Sequence, residues 1–115
     1  MTATIYHNPK CATSRKVLAA LQEAGIEPEI VRYVTEPPSR ETLRALARDS
    51  GLGVRGLLRR RGTPYDSLGL ADPGLSDAAL LDAILAHPQL LERPFVVTDK
   101  GTRLVRPVER LREIL

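Results

Sequence analysis

The succession of β-type and helix-type apolar patterns limits the possible folds of this chain more than any other feature of its sequence. A short β-prone run at residues 4–6 is followed by a helical pattern and then by a second β-prone run at residues 29–34. The helix is expected from Thr13 onward, and Gly25 supplies its C-terminal stop; its apolar positions are Val17, Leu18, Leu21 and Ala24. Two strands joined by a crossover helix pair in parallel with a right-handed connection. The N-terminal part of the chain therefore predicts a βαβ unit.

The remainder of the chain predicts a helical insertion and then a ββα unit. Ser39 and Ser76 are the expected N-caps of two helices, and residues 55–59 are expected to form a short helical turn between them. Residues 95–98 and 102–105 flank a turn and predict an antiparallel hairpin, after which Pro107 begins a last helix. The apolar faces of these three helices are expected to contain Leu43, Leu46 and Ala47, then Leu80, Leu81, Ile84 and Leu85, and finally Val108, Leu111 and Ile114.

This order of elements gives the predicted fold class. A βαβ unit, a helical insertion and a ββα unit are the layout of an α/β fold with a thioredoxin-like mixed sheet and helices on both of its faces. At 115 residues the chain has the length of a single domain, to which we assign all of residues 1–115. A fold by itself does not define a function.

Composition narrows the class of partner. The net charge is +3, but acidic residues are interleaved with the arginines, and three Tyr and one Phe cannot form the stacking platform of a nucleic-acid-binding protein. We therefore expect a small anion as the ligand, and no nucleic acid. No apolar run approaches the roughly 20 residues of a membrane span, and the N-terminus lacks a signal-peptide core. With one cysteine and no export signal, the chain is expected to be a reduced, cytoplasmic monomer with no membrane partner.

The single cysteine, Cys11, lies in the most informative segment. It occupies a Pro-interrupted loop after the first predicted strand, at the N-terminus of the first predicted helix, with Lys10 and Arg15 nearby. Free N–H groups and the helix dipole favour both a thiolate and a bound oxyanion at such a position. Lowering a thiol pKa by about two units stabilises the thiolate relative to the thiol by roughly 2.7 kcal/mol. Most of the sulfur is then the nucleophilic thiolate at neutral pH. A cysteine can also be a small buried hydrophobe, but this loop is a poor place to bury one.

The segment Tyr-His-Asn-Pro-x-Cys-x-x-Ser-Arg at residues 6–15 resembles the glutaredoxin-dependent arsenate reductase family, whose fold is thioredoxin-like. The resemblance covers essentially the whole chain. It continues through Pro37-Pro38-Ser39-Arg40, Val54-Arg55-Gly56-Leu57-Leu58-Arg59, Pro64-Tyr65, Leu68-Gly69-Leu70, His87-Pro88, Arg93-Pro94-Phe95-Val96-Val97-Thr98, Gly101-Thr102-Arg103 and Arg106-Pro107.

The resemblance assigns roles to six residues and a conformation to one peptide bond. It implies that Cys11 is the nucleophile, that His7 tunes the thiol and that the hydroxyl of Ser14 hydrogen-bonds it. The three oxyanion-contacting arginines correspond to Arg59, Arg93 and Arg106, and the Arg93–Pro94 bond is expected to be cis. Three alternatives stay open: His7 as a loop histidine, Ser14 as a capping residue, and Arg60 or Arg61 in place of Arg59 as the substrate contact.

The activity that the resemblance implies is reduction of arsenate to arsenite. A covalent cysteine–arsenic adduct would be resolved by an external thiol, because a lone cysteine has no internal partner; in this family the donors are glutathione and glutaredoxin. No bound cofactor or metal is expected, and one cysteine with two histidines does not suit a tetrahedral zinc site. Two alternatives are a thiol oxidoreductase acting on glutathione adducts and a thioredoxin-like transcription regulator. The related oxidation-sensing regulators use a Cys-x-x-Cys pair, whereas Ser14 stands at the second position here.

Overall fold

A computed structural model of the protein describes all of residues 1–115. Its strands and α-helices are, in chain order, β1 (Ala3–Tyr6), α1 (Ala12–Glu23), β2 (Glu29–Val31), α2 (Arg40–Ser50), α3 (Asp77–Ala86), β3 (Phe95–Thr98) and β4 (Gly101–Leu104). Three 3₁₀ helices span Arg55–Leu57, Pro88–Leu90 and Val108–Ile114. The chain forms two compact units, residues 1–36 together with 93–115, and residues 37–92.

The first unit contains a four-stranded mixed sheet in the order β2-β1-β3-β4. Strand β1 pairs in parallel with β2, where Ile5 faces Ile30, and antiparallel with β3, where Ile5 faces Val96. Strands β3 and β4 form an antiparallel hairpin. The predicted βαβ unit, the hairpin and the mixed thioredoxin-like sheet are therefore confirmed.

Strand β2 is shorter than the sequence predicted. It ends at Val31, because the N–H groups of Thr35 and Glu36 both donate to the carbonyl oxygen of Arg32, at 3.1 and 2.8 Å. This turn replaces the strand that was expected to continue to residue 34. Val34 is exposed, while Tyr33 is completely buried.

One face of the sheet carries the apolar core of the first unit. Alternate residues of β1, Ala3 and Ile5, pack with Val17 and Leu21 of α1 and with the terminal 3₁₀ helix; Leu111 and Ile114 of that helix are buried in the same cluster. Thr98 at the end of β3 donates from Oγ1 to the carbonyl oxygen of Ile114 at 2.6 Å. Burying each large aliphatic side chain contributes about 1.5–3 kcal/mol, so this cluster anchors α1 on the sheet.

The second unit is the predicted helical insertion. Ser39 and Ser76 cap α2 and α3 as expected, each accepting a backbone N–H at 3.1 Å. The apolar positions predicted for these helices are buried or half-buried (Leu43, Leu46, Ala47, Leu80, Leu81, Ile84 and Leu85). None of the helices in the structure combines the length and the apolar character that a membrane span needs.

Candidate active site

Cys11 is the N-cap residue of α1, as the sequence predicted. Its backbone is extended, with φ −93° and ψ 122°, and its carbonyl oxygen accepts the N–H of Arg15 at 3.0 Å, which begins the helix. The preceding loop is a tight turn, because the N–H of Cys11 donates to the carbonyl oxygen of Asn8 at 3.0 Å and the N–H of Lys10 to the Asn8 side chain at 3.0 Å. Arg15 braces this loop by donating to the carbonyl oxygen of Pro9 at 2.9 Å. The thiol is half-buried.

The register of the sheet brings two distant arginines to this loop. Tyr6 at the end of β1 faces Phe95 at the start of β3, and Phe95 faces Leu104 at the end of β4. The loop after β1, the residue two positions before β3 and the residue two positions after β4 therefore meet at one edge of the sheet. Arg93 and Arg106 occupy the last two of these positions.

Arg106 contacts the thiol directly. Its Nη1 lies 3.7 Å from the Sγ of Cys11 and also donates to the carbonyl oxygen of Arg93 at 3.0 Å. The Arg93–Pro94 peptide bond is cis, as the family resemblance implied, and the Arg106–Pro107 bond is cis as well. The structure thus groups Cys11 with Arg93 and Arg106.

His7 and Ser14 form a buried pair beside the thiol. Nδ1 of His7 and Oγ of Ser14 are 2.6 Å apart, and Oγ also accepts the N–H of Asn8 at 3.1 Å. Both side chains are almost completely removed from solvent. Burial lowers the pKa of His7, and the charges of Arg32 and Arg15 lower it further, so the imidazole is neutral at pH 7. His7 therefore orients Ser14 without adding a positive charge to the site.

The environment of Cys11 favours the thiolate. Burial of the sulfur raises the pKa of the thiol, but the backbone N–H of Ser14 and the guanidinium groups of Arg93 and Arg106 outweigh it, and the pKa is lowered overall. The backbone N–H of Ser14 favours the thiolate, because a negatively charged sulfur accepts a hydrogen bond more strongly than a neutral one. The hydroxyl of Ser14 is occupied by His7 and Asn8, and the effect of this residue on the thiol comes from its backbone.

Arg59 belongs to the second unit, where neighbouring backbone and a carboxylate fix it. The backbone N–H of Arg59 donates to the carbonyl oxygen of Leu90 at 2.7 Å, and Nη1 of its guanidinium lies 2.9 Å from Oε1 of Glu92. Arg60 is more exposed, pairs with Asp66 at 2.8 Å and lies over the ring of Tyr65. Of these two arginines, Arg59 has the more buried side chain, 16% exposed against 67% for Arg60.

Sequence reasoning missed Tyr33 as a member of the site. Its side chain is completely buried, and its hydroxyl has no hydrogen-bond partner. Burial raises the pKa of Tyr33; the charge of Arg93 and the amide of Asn8 act in the opposite direction, and Cys11 adds to the rise. Tyr33 therefore lies on the buried side of the site, next to Asn8 and Arg93. Tyrosine is a common strand residue, so its place in a β-prone run did not predict that Tyr33 would border the site.

The fold and the site together define a class of protein. It is a thioredoxin-like protein whose single reactive cysteine stands at a helix N-terminus among arginines, an arrangement suited to attack on a tetrahedral oxyanion. No group of three or more His, Cys, Asp or Glu side chains that could hold a metal ion is present in the structure. The family description that matches this chain covers residues 6–114, and the chain belongs to the ArsC family.

Known proteins of the same family are similar over nearly the whole of this chain. The chain is 56% identical to an arsenate reductase of Rhizobium meliloti over 115 residues, all of this chain and 82% of the relative. It is 50% identical to an arsenate reductase of Escherichia coli over 97% of this chain and 79% of the relative. Among solved structures, an arsenate reductase from Vibrio cholerae superimposes with a TM-score of 0.95 at 45% identity, covering 100% of this chain and 98% of that one.

Proposed function

We propose that the protein reduces arsenate to arsenite with Cys11 as the nucleophile. The observation that carries this proposal is the contact of 3.7 Å between Nη1 of Arg106 and the Sγ of Cys11, in a site that lowers the pKa of the thiol. A guanidinium next to a thiolate can hold an incoming oxyanion within reach of the sulfur. The relatives named arsenate reductase, at 56% and 50% identity, support arsenate as that oxyanion.

In this proposal the oxyanion binds at the N-terminus of α1. Arsenate is tetrahedral and negatively charged, and it accepts hydrogen bonds from the free N–H groups of the first turn. Arg93 and Arg106 neutralise its charge with fork-shaped donors, and the family resemblance names Arg59 as a third donor. The same donors stabilise the charge that develops on the oxygens during attack.

The first chemical step forms a covalent adduct. The Cys11 thiolate attacks arsenic(V), an As–S bond forms and an As–O bond breaks. The departing hydroxyl takes a proton from solvent and leaves as water. Arsenic remains in the +5 state, so the adduct still requires two electrons.

Those electrons come from a thiol outside the chain, because Cys11 is its single cysteine. A glutathione thiol attacks the Cys11 sulfur, the As–S bond breaks, and arsenic leaves as arsenite with the electron pair. The product on the protein is a mixed disulfide between Cys11 and glutathione. Glutaredoxin with further glutathione reduces it and restores the thiolate.

An arsenate-reduction assay with glutathione and glutaredoxin tests this function. The purified protein should produce arsenite, and Cys11→Ser should abolish production while leaving the circular dichroism spectrum unchanged, because a serine hydroxyl is scarcely ionised at neutral pH. Retention of one tenth of wild-type turnover by Cys11→Ser would contradict the covalent mechanism. Reduction of a glutathione mixed disulfide without any arsenite production would assign the chain to general thiol exchange.

A further inference from the structure

The net positive charge of the protein lies in its first unit. Residues 1–36 and 93–115 together contain ten Lys and Arg side chains against seven Asp and Glu, whereas residues 37–92 contain seven of each. The charge of +3 therefore belongs to the unit that contains Cys11. Two of its cations, Arg93 and Arg106, lie at the thiol. The oxyanion site accounts for these two and leaves the others without a function.

The fold separates the charges of this unit along the strands. Strands β1 and β2 both end at the edge of the sheet next to Cys11, and α1 begins there. Four of the seven carboxylates lie towards the opposite edge, at the end of α1, just before or at the start of β2, and in the turn between β3 and β4 (Glu23, Glu27, Glu29 and Asp99). An anion that approaches Cys11 therefore meets a surface from which most carboxylates are remote.

Arg15 and Arg32 both adjoin the loop that carries Cys11, and both are exposed. Arg15 lies in the first turn of α1 and donates from Nη1 to the carbonyl oxygen of Pro9 at 2.9 Å, which leaves its Nε and Nη2 without a partner. Arg32 directly follows β2, and the carbonyl oxygen of the last residue of β2 accepts the N–H of His7 at 2.8 Å. The charges of both guanidinium groups lower the pKa of His7, which agrees with this placement.

Neither arginine has a carboxylate partner. Six other arginines of the chain form ion pairs with Asp or Glu (Arg40, Arg48, Arg59, Arg60, Arg103 and Arg110). Arg15 and Arg32 form none, although Glu36 lies four residues after Arg32. Lys10 and Lys16 are exposed and form no ion pair either. The charges around the loop are therefore available to a ligand, and their number suits more than one carboxylate.

A thiol donor for Cys11 is a ligand of this kind. Cys11 is the single cysteine of the chain, so the sulfur that attacks it comes from another molecule. In glutathione a thiol lies between two terminal carboxylates, and the peptide has a net negative charge at neutral pH. We propose that Arg15 and Arg32 bind the carboxylates of such a thiol peptide and direct its sulfur to Cys11. The part of this contact in arsenate turnover rests on the proposed function, whereas the recognition of the peptide does not.

Disulfide exchange tests this recognition without arsenate. The Cys11 thiolate attacks one sulfur of glutathione disulfide, a new S–S bond forms at Cys11, and the old S–S bond breaks to release a glutathione thiolate. The rate is compared with that for 2-hydroxyethyl disulfide, which has no charge. The ratio of the two rates removes any effect of a variant on the reactivity of the thiol itself. The control variant is Arg112→Gln, since Arg112 is an exposed arginine on the terminal 3₁₀ helix of the same unit.

For Arg15→Gln and Arg32→Gln we expect the ratio to fall about two- to five-fold each, the size expected for an exposed ion pair, and about ten-fold in the double variant. Arg15→Lys and Arg32→Lys should keep more of the ratio, because the charge remains. Arg112→Gln should keep the wild-type ratio. A wild-type ratio in the double variant would overturn the proposal. So would an equal fall in Arg112→Gln, since the net charge alone would then explain the preference.

The wild type provides a second test that does not depend on the folding of any variant. Raising the ionic strength from about 0.01 to 0.15 M shortens the Debye length from about 30 to 8 Å. The rate with glutathione disulfide should fall over this range, whereas the rate with 2-hydroxyethyl disulfide should not. The same salt dependence for both disulfides would contradict a contact between carboxylates and guanidinium groups.

Arsenate turnover separates this recognition from the proposed function. At saturating arsenate, KM for glutathione should rise in Arg32→Gln, while turnover with 2-mercaptoethanol, a thiol without carboxylates, should stay at the wild-type value. If the wild type made no arsenite but the exchange ratio still fell in the variants, arsenate reduction would fail and the recognition of the thiol peptide would stand. Unchanged exchange ratios together with a higher KM for glutaredoxin would assign the two arginines to a protein partner and overturn the proposal.

Discussion

Nη1 of Arg106 lies 3.7 Å from the Sγ of Cys11, although 95 positions of sequence separate the two residues. The sheet creates this contact, because the end of β1 and the end of β4 lie at the same edge of the sheet, on either side of the start of β3. The guanidinium is further held by the carbonyl oxygen of Arg93 at 3.0 Å. The nucleophile and its cationic neighbour are therefore positioned by rigid backbone.

Replacing either arginine beside the thiol should raise the pKa of Cys11, because both guanidinium groups favour the thiolate. In Arg106→Ala and Arg93→Ala the pH midpoint of iodoacetamide alkylation should move upward, and kcat/KM for arsenate should fall about ten- to a hundred-fold. Lysine at either position should restore part of the loss, since it keeps the charge without the fork. Arg48→Ala, at an exposed site paired with Asp49, is the control. A midpoint equal to that of the wild type in both alanine variants would contradict the role given to these arginines.

Ser14→Ala should affect stability more than it affects the thiol. The hydroxyl is buried between Nδ1 of His7 and the N–H of Asn8, so its loss leaves both without a partner. We expect the free energy of unfolding in urea to fall by about 1–3 kcal/mol. The alkylation midpoint of Cys11 should stay close to the wild-type value, because the Ser14 backbone N–H remains in place. Thr13→Ala is the matched control, and a large rise of the midpoint with unchanged stability would instead support a hydroxyl–thiol hydrogen bond.

The local part of the structure was predictable because its signals are local. The N-caps Ser39 and Ser76, the hairpin and the placement of Cys11 at the start of α1 each depend on a few adjacent residues. The end of β2 was not predictable, since Tyr33 and Val34 are β-type residues and the turn that replaces the strand is made by backbone hydrogen bonds to Arg32.

Which residues meet at the site is decided by the pairing of strands that are far apart in the sequence. Nothing in the sequence near Arg106 indicates a thiol, and only the resemblance to a family singled it out; the order of strands supplies the physical reason. The family resemblance did not single out Tyr33, and no short pattern in the sequence predicts that this side chain is completely buried beside Asn8 and Arg93.

His7 should make stability depend on pH. Its pKa in the folded protein lies below the ordinary value near 6.5, so the unfolded chain binds more protons between those two values. Stability is therefore fully present above about pH 6.5 and is lost as the pH falls toward the lowered pKa. Thermal unfolding between pH 5 and 8 should show this loss in the wild type, whereas His7→Asn, which cannot titrate, should have a flatter profile in that range. A profile in His7→Asn as steep as that of the wild type would assign the effect to another group.

The identity of the third arginine can be decided by comparing Arg59, Arg60 and Arg61. Arg59 is held by Glu92 at 2.9 Å and by the carbonyl oxygen of Arg61 at 3.0 Å, so less side-chain freedom is lost when it binds an anion. Arg60 is largely exposed and already paired with Asp66. Arg59→Ala should therefore raise KM for arsenate about ten-fold, the lower end of the range for a charge-assisted hydrogen bond. Arg60→Ala and Arg61→Ala should change it less than two-fold, as surface charges do.

Glu92→Gln separates positioning from charge, because it leaves Arg59 in place without its carboxylate. For this variant we expect a smaller rise in KM than for Arg59→Ala, with kcat unchanged. A larger effect at Arg60 or Arg61 than at Arg59 would transfer the substrate contact to that residue.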